Sequence, residues 1–183
     1  MISINPWTQP LPLQGGSFNV ATYLRKKKLM TEENITVKFK SLHDKFVLPT
    51  QATDGSAGFD MRACIDNLEC FPEVIPPGQV KLILLGCSVE IPVGYEIQVR
   101  PRSGLALKNR ITVLNSPGTI DSDYRGPCGV ILINHGPDPF LINQGDRVCQ
   151  FVVQKVPVVK LELVEELSDT DRGAGGFGST GVK

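Results

Sequence analysis

The sequence lacks an excess of charge of either sign. Its 183 residues include 19 lysines and arginines against 19 aspartates and glutamates, so the formal net charge is zero. Proteins that hold nucleic acid through a general electrostatic field need a surplus of basic residues, and direct nucleic-acid binding is therefore not expected. Any anion that this protein binds must be held by the geometry of a local site.

Histidine is scarce, and the cysteines do not follow a pattern typical of metal centres or disulfide frameworks. The chain has two histidines, His43 and His135, and five cysteines, at positions 64, 70, 87, 128 and 149, without a CxxC pair. This pattern favours reduced thiols in a reducing compartment and argues against zinc. The apolar runs fall well short of the about 20 residues that a membrane helix requires, so no membrane partner is expected.

Acidic residues are absent from residues 1–30, which carry three prolines and the basic run 25–28. This composition predicts a poorly ordered N-terminal extension over residues 1–33. Three interpretations stay open: a solvated extension or an upstream start codon with Met30 as the true start, an organelle-targeting peptide, and a nuclear or nucleic-acid signal. The location predicted for the protein is the cytoplasm, with organelle targeting as the alternative.

From Ile35 onward, the pattern predicts an all-β domain over residues 34–170, followed by a glycine-rich C-terminal arm over residues 171–183. Short apolar segments alternate with Gly- and Pro-containing turns, which favours a sandwich or a barrel. One helix is predicted, at Ser103–Asn109, with Ser103 as its N-cap. The predicted strands are residues 35–40, 80–85, 88–91, 96–100, 111–114, 128–134, 140–142, 148–154 and 158–164.

Two polar blocks lie in the first part of this domain. In residues 57–61, Asp60 follows a glycine by two positions, and its carboxylate suits the water shell of a divalent metal; a turn aspartate is the competing interpretation. In residues 100–106, the groups of Arg102, Ser103 and Gly104 suit a phosphate at a helix start. The alternative there is a capped surface turn with solvated arginines.

The third block, residues 115–126, lies between two predicted strands and has an unusually polar tip. Asn115 carries an amide that suits a base edge, Asp121 is a candidate general base for a water, and Tyr124 offers a flat face to a sugar. Turn chemistry is the competing explanation, because Asn, Asp, Gly and Pro all favour turns.

Two blocks remain near the C-terminus. In the fourth, Asp146 and Arg147 suggest a structural ion pair at a strand start, and Gln150 suits a phosphate. In the fifth, residues 172–181, Arg172 and the glycine amides suit an anion, and Phe177 suits stacking on a base. A disordered glycine tail is the alternative for this last block.

In order and spacing, the five blocks together resemble the motifs of the trimeric dUTPase family over roughly residues 35–181. The resemblance implies a distorted jelly-roll-like β barrel, assembled as a homotrimer with exchanged C-terminal arms. It also implies Mg²⁺-dependent hydrolysis of dUTP to dUMP and pyrophosphate, which limits uracil incorporation into DNA and supplies dUMP for dTMP synthesis. The departures from the family pattern are Phe59, Ala174 and Pro127-Cys128.

The resemblance implies a role for each site residue. Asp121 activates the attacking water and contacts the deoxyribose hydroxyl, and Tyr124 packs where a ribose hydroxyl would clash. Asp60 holds waters of the Mg²⁺ ion on the triphosphate, and Phe177 stacks on the base. The residues expected to bind uracil are Asn115, Gly118, Thr119, Ile120 and Gly129, and those expected to bind phosphates are Arg102, Ser103, Gly104, Gln150, Arg172, Gly178 and Ser179.

Two rival functions stay open at this point. A dCTP deaminase-like enzyme of the same fold needs a glutamate base, and residues 115–126 contain no glutamate. A non-enzymatic, dUTPase-like regulatory trimer is expected to lose motif residues, whereas all five motifs are present here. Release of pyrophosphate rather than ammonia would exclude the deaminase function. Any hydrolysis of dUTP would exclude a non-enzymatic role.

Overall fold

The computed structural model describes residues 34–65 and 72–176, in which short antiparallel strands are the main regular structure. The predicted N-terminal extension and three predicted site residues, Phe177, Gly178 and Ser179, lie outside these ranges. The strands are β1 (Lys38–Ser41), β2 (Phe59–Arg62), β3 (Glu73–Ile75), β4 (Val80–Leu84), β5 (Cys87–Glu90), β6 (Tyr95–Arg100), β7 (Ile111–Val113), β8 (Gly118–Ile120), β9 (Gly129–Asn134), β10 (Phe140–Ile142) and β11 (Arg147–Lys155), and helix α1 (Ser103–Asn109) follows β6.

The described strands form four small sheets. The largest has the order β2-β11-β6-β8, a second has the order β4-β9-β7, and the pairs β1-β5 and β3-β10 complete the set. Strand β11 lies between β2 and β6, so that Gln150 faces Asp60 on one side and Arg100 on the other. This register brings three polar positions that are distant in sequence into one row across the sheet.

All four sheets contribute to one apolar core, because alternate side chains of each strand face inward. In β9, for example, Val130, Leu132 and Asn134 are buried while the residues between them are partly exposed. Burial of apolar surface, about 25 cal/mol per Å², is the main stabilising term here. The largest fully buried side chains are Phe151, Met61, Ile75, Ile83, Leu85, Ile97, Ile111, Leu132 and Ile142.

The all-β prediction is confirmed, and most predicted strands lie within a few residues of the observed ones. The first predicted strand, residues 35–40, is displaced to Lys38–Ser41. Three strands were not predicted, namely β2, β3 and β8. Each has only three or four residues and includes an acidic residue or a glycine, so its composition gives little strand signal.

Two local predictions are wrong. Residues 158–164 form no strand, because no described strand pairs with them, and Val158 and Leu163 are fully exposed. Helix α1 has the predicted bounds, but Arg102 and not Ser103 occupies its N-cap position, and no side chain caps it. The first turn is closed instead by the backbone, where the Ala106 N–H donates to the Arg102 carbonyl at 3.0 Å.

Cys87, Cys128 and Cys149 carry buried free thiols, as predicted, and Cys70 lies outside the described residues. A hydrogen bond from the Cys87 thiol to Cys128 raises the pKa of Cys87, to which burial also contributes, and the same hydrogen bond lowers the pKa of Cys128. Burial is the main cause of the raised pKa of Cys149. No helix within the described ranges is long and apolar enough to cross a membrane.

Asn134 is a buried polar residue that joins separate parts of the fold. Its side-chain nitrogen donates to the carbonyls of Ile75 and Asp138, both at 2.8 Å, and its side-chain oxygen accepts from the Gly136 N–H at 2.7 Å. These bonds connect the end of β9 to β3 and to the following turn. Because the side chain is fully buried, water does not replace these partners when the amide is removed.

We predict that Asn134→Ala lowers the free energy of unfolding by about 3 kcal/mol, because three backbone groups, among them the buried Ile75 carbonyl, lose their partner. Urea denaturation at a fixed protein concentration measures the change. Asn143→Ala is the matched control, since Asn143 is exposed and its amide makes one long bond, 3.3 Å, to Asp146. Equal effects of the two substitutions would contradict the structural role of Asn134.

Candidate active site

A cavity of about 300 Å³ opens where the loops before and after β8 meet the start of β9. This volume is at the lower end of the range for small-molecule sites. The cavity walls combine backbone groups, apolar side chains and one carboxylate. Its lining residues are Leu82, Leu84, Val99, Asn115, Gly118, Thr119, Ile120, Asp121, Tyr124, Pro127, Cys128, Gly129, Val130 and Ile131.

Of the residues that the sequence associated with uracil or deoxyribose, all but Phe177, which is outside the described ranges, lie in this lining: Asn115, Gly118, Thr119, Ile120, Asp121, Tyr124 and Gly129. They come from the β7–β8 turn, from β8, from the loop after β8 and from the first residue of β9. The structure therefore brings this predicted group together. The apolar walls from β4 and from residues 127 and 128 were not predicted, and only the unusual Pro127-Cys128 pair in the sequence pointed to them.

Two glycines keep the cavity walls thin. A Cβ atom at Gly118 would lie 3.3 Å from both the Asn115 amide nitrogen and the Val99 Cβ, and one at Gly129 would lie 2.8 Å from the Leu82 Cδ1. Neither glycine has a positive φ, so space rather than backbone conformation is the reason for glycine at these positions. Backbone groups here reach the cavity without a side chain in front of them.

Asp121 stands at the rim of the cavity, directly after β8, and it is exposed. Among the described residues, no hydrogen bond or ion pair engages its carboxylate, so both oxygens are open to water. Its backbone carbonyl accepts a hydrogen bond from the Tyr124 N–H at 3.2 Å. The Tyr124 hydroxyl in turn donates to the Pro127 carbonyl at 3.0 Å, which fixes the ring beside the cavity.

A second polar group surrounds Asp60 in β2. The Arg102 guanidinium donates to it in a fork, with Nε–Oδ1 at 2.9 Å and Nη2–Oδ2 at 3.3 Å, and Arg147 Nη1 donates to Oδ2 at 3.0 Å. A third Arg102 nitrogen, Nη1, donates to the Arg147 carbonyl at 3.0 Å. Fork geometry gives an Arg–carboxylate pair both strength and a fixed orientation.

This cluster changes the sequence-based account of the fourth block. Arg147 forms its ion pair with Asp60 and not with the neighbouring Asp146. The Asp146 carboxylate instead accepts from the Asn143 N–H at 2.8 Å, closing the turn before β11. The predicted Asp146–Arg147 pair is wrong, because the Asp146 carboxylate is engaged in the turn while the Arg147 side chain reaches Asp60 on the neighbouring strand.

Gln150 supports the same region from β11. Its side-chain nitrogen donates to the Pro101 carbonyl at 2.9 Å, directly before Arg102 and Ser103. A Cβ atom at Gly58 would lie 2.8 Å from the Gln150 side-chain oxygen, so the glycine of the first block leaves room for the Gln150 side chain. Gln150 therefore orients the segment that carries Arg102.

The candidate residues fall into separate groups within one chain. Arg102, Ser103, Gly104 and Gln150 do not line the cavity that holds Asp121. Ser103 and Gly104 are exposed at the start of α1. Arg172 is also exposed, and its Nε donates to the Gly175 carbonyl at 2.7 Å within the arm. One protomer thus presents a nucleoside-sized cavity, a guanidinium–carboxylate cluster and a basic arm, and no contact between the three is observed in the described residues.

The described ranges contain no group of three or more acidic, histidine or cysteine side chains that would bind a metal directly. Asp60 nevertheless suits a role through water. A carboxylate offers about four acceptor positions, and the two arginines use three of them, two on Oδ2 and one on Oδ1. One acceptor position is left on Oδ1 for a water of a hydrated cation.

The fold and the cavity together define an all-β protein with a cavity of a size that suits a small ligand, at the loops around β8. The dUTPase family model matches residues 44–181 of the chain. The chain belongs to the dUTPase family.

Individual relatives are similar over most of their length. The chain is 50% identical over 149 residues, 81% of this chain and 99% of the relative, to the deoxyuridine 5'-triphosphate nucleotidohydrolase of Syntrophotalea carbinolica. It is 54% identical over 135 residues, 74% of this chain and 85% of the relative, to that of Rhizobium rhizogenes. Among solved structures, the dUTPase of Staphylococcus bacteriophage 80alpha with dUPNHPP matches with a TM-score of 0.71 and 25% identity, over 80% of this chain and 99% of the phage chain.

We predict that Asp60→Asn lowers the free energy of unfolding by about 1–3 kcal/mol, because two guanidiniums lose their charged acceptor. Chemical denaturation of the two proteins at equal concentration measures the effect. Asp54→Asn, in an exposed turn, is the control and is expected to be neutral. Unchanged stability of the Asp60 variant would mean that the cluster is not a fixed unit of the fold.

Proposed function

We propose that this protein hydrolyses dUTP to dUMP and pyrophosphate. The observation that carries the proposal is the position of the exposed Asp121 carboxylate at the rim of a cavity lined by the whole predicted nucleoside-binding group. Membership of the dUTPase family supports the same reaction, since its relatives are named deoxyuridine 5'-triphosphate nucleotidohydrolases. The dCTP deaminase alternative lacks support, because the described residues that line the cavity include no glutamate.

Uracil selection follows from the walls of the cavity. Backbone groups around Thr119 and Ile120 and the Asn115 amide offer donors and acceptors to a base edge. The close approach of Leu82 to Gly129 leaves little space beside the base, which disfavours the additional methyl of thymine. A base with a different donor–acceptor pattern leaves buried polar groups unpaired, which costs about 1–3 kcal/mol for each group. Shape and hydrogen bonding therefore favour uracil together.

The hydrolytic role of Asp121 follows from its open carboxylate. Both oxygens are available to accept hydrogen bonds from a water and from a deoxyribose hydroxyl. A water held in this way is oriented toward the α-phosphorus, and the carboxylate takes its proton as the new P–O bond forms. The bond between the α-phosphorus and the bridging oxygen breaks in the same displacement, and pyrophosphate leaves with that oxygen. General-base assistance of this kind contributes about 10²–10⁴-fold to a rate.

The phosphates are assigned to Arg102, Ser103 and Gly104. Three of the five N–H donors of Arg102 bind Asp60 and the Arg147 carbonyl, so two remain for an anion. The guanidinium is fixed before the ligand arrives, and less entropy is lost on binding. Fixed donors that meet developing negative charge are the main catalytic term in phosphoryl transfer.

Mg²⁺ is the cofactor proposed for this reaction, held mainly by the triphosphate, with Asp60 bound to one of its waters through the remaining acceptor position. When bound, the ion neutralises charge on the phosphate oxygens. Support also comes from a related fold. The dUTPase of phage phi11 of S. aureus coordinates a structural Mg(II) ion, and a mutant form of it matches with a TM-score of 0.64 and 22% identity over 73% of this chain and 99% of the phage chain.

A homotrimer is the proposed assembly, in which neighbouring subunits combine the separated groups into one site. Val80, Leu82 and Leu84 expose a row of apolar side chains along β4, with relative exposures of 46, 58 and 46%. Leu82 and Leu84 also line the cavity, so a protein surface that covers this row would close the cavity wall. Contiguous exposed apolar surface of this kind marks protein–protein contacts.

The C-terminal segment supplies the second argument for assembly. Residues 158–164 alternate apolar and charged side chains, and Val158, Leu161 and Leu163 are about fully exposed, at 103, 90 and 101%. A strand pattern that finds no partner among residues 34–65 and 72–176 is explained by a partner in a neighbouring subunit. We assign residues 34–170 to the barrel domain and residues 171–183 to an exchanged arm, which binds the terminal phosphate through Arg172, Gly178 and Ser179 and covers the base with Phe177.

The cytoplasm is the proposed location. Buried free thiols at positions 87, 128 and 149 fit a reducing compartment.

A net charge of zero gives no general attraction to nucleic acid. The substrate and the neighbouring subunits are therefore the partners that we propose.

We predict that the protein releases pyrophosphate from dUTP in the presence of Mg²⁺, and that Asp121→Asn lowers kcat by about 10²–10⁴-fold with little change in the Kd of a non-hydrolysable dUTP analogue. A coupled pyrophosphate assay and calorimetric titration measure the two quantities. Asp123→Asn is the matched control, because this aspartate is exposed in the same loop but does not line the cavity. Near-normal kcat of the Asp121 variant, or ammonia as the product from dCTP, would refute the assignment.

Removal of residues 171–183 tests the arm. We expect a folded trimer of unchanged stability, because the described residues of this segment are exposed or partly exposed and none joins the core. We also expect kcat to fall by roughly tenfold or more, because closure of a site by a lid excludes water and completes the binding groups. Light scattering gives the assembly state, and undiminished activity would rule out the lid role.

A further inference from the structure

The loop that joins Asp121 to β9 is closed by its own hydrogen bonds. The Tyr124 N–H donates to the Asp121 carbonyl at 3.2 Å, and the Tyr124 hydroxyl donates to the Pro127 carbonyl at 3.0 Å. Arg125 Nη1 donates to two carbonyls of the same loop, Ser122 at 2.7 Å and Tyr124 at 2.9 Å. The carboxylate and the aromatic ring at the cavity are therefore held in one local unit, the 121–127 loop.

Gly126 is the tightest position of this loop. A Cβ atom there would overlap the Tyr124 hydroxyl oxygen and would lie 2.6 Å from Cζ and 3.0 Å from Cε2 of the same ring. Contacts below 3.0 Å essentially never occur for real Cβ atoms, so the ring must move if a side chain is added. Gly126 does not have a positive φ, and space for the Tyr124 ring is therefore the reason for glycine.

The Tyr124 ring depends on these local contacts for its orientation. The side chain is 44% exposed, so the core holds only part of it. An aromatic side chain turns about χ1 and χ2 with broad freedom when it is exposed. The hydroxyl bond to Pro127 and the missing side chain at position 126 restrict the ring directly, and the two Arg125 bonds hold the backbone that carries it.

We propose that Arg125 and Gly126 are positioning residues that set the selectivity for deoxyribose over ribose by fixing the Tyr124 ring. This inference rests on the proposed function, in which Tyr124 packs against the sugar. Rejection of an added hydroxyl by shape alone is weak, about 10²-fold in a well-formed pocket. A steric barrier of this kind works only if the Tyr124 ring keeps its position when the ligand binds. The hydrogen bonds of the 121–127 loop supply that rigidity.

The inference predicts a change in selectivity rather than a general loss of activity. Gly126→Ala displaces the ring, and the ratio of kcat/KM for dUTP to kcat/KM for UTP is expected to fall about tenfold or more. Shape complementarity supplies a selectivity of about 10²-fold, so the variant loses much of it. Tyr124→Phe keeps the ring but loses the bond to Pro127, and Arg125→Gln loses the bonds to Ser122 and Tyr124. We expect both to reduce the same ratio to a smaller extent.

The experiment measures dUTP and UTP hydrolysis for the wild type and these three variants, with thermal melts to confirm folding. Gly55→Ala is the matched control, because a Cβ atom at Gly55 meets nothing within 4 Å, and its ratio is expected to equal that of the wild type. If Gly126→Ala does not fold, Tyr124→Phe and Arg125→Gln decide the question. An unchanged ratio in all variants that fold would overturn the inference.

A double-mutant cycle separates positioning of the ring from a merely structural role of Gly126. In a Tyr124→Ala background no ring remains to be displaced, so Gly126→Ala is expected to leave the dUTP/UTP ratio unchanged there. An equal effect of Gly126→Ala in both backgrounds would overturn the inference while leaving the proposed function intact. Failure of the wild-type protein to hydrolyse dUTP would overturn the proposed function and this inference with it.

Discussion

The arrangement of the site depends on the antiparallel pairing of β11 with β2 on one side and β6 on the other. This register places Gln150 opposite both Asp60 and Arg100, and it is held by inward side chains such as Phe151 and Met61, which are fully buried. A shift by one residue would turn every core side chain of β11 outward. The same packing that stabilises the core therefore fixes the carboxylate that orients Arg102.

The cavity is formed differently, by turns and by missing side chains. Gly118 and Gly129 place no side chain in its walls. The 121–127 loop carries the Asp121 carboxylate and the Tyr124 ring that line it. The hydrogen bonds of this loop are all local, so its conformation depends on a few adjacent residues. Sequence reasoning found this group readily, because residues that act together in a turn are also neighbours in sequence.

The parts that could not be predicted from the sequence depend on contacts between distant residues. The partner of Arg147 is Asp60, 87 positions away, and nothing local in the sequence distinguishes it from the adjacent Asp146. The amide of Gln150 suggested a phosphate ligand, whereas its observed partner is a carbonyl, 49 positions away. In residues 158–164, the alternating pattern predicted a strand, but a strand also needs an edge to pair with, and the described chain offers none.

The separation of the groups within one chain bears on how activity and stability are related. Asp121 and Arg102 lie in different groups, and the row of apolar side chains on β4 is both an exposed surface and a wall of the cavity. Covering this row would bury apolar area and complete the cavity in the same step. Binding that requires an assembled state also stabilises that state. Ligand affinity, subunit association and resistance to unfolding are therefore expected to change together with protein concentration, because all three depend on the same surface.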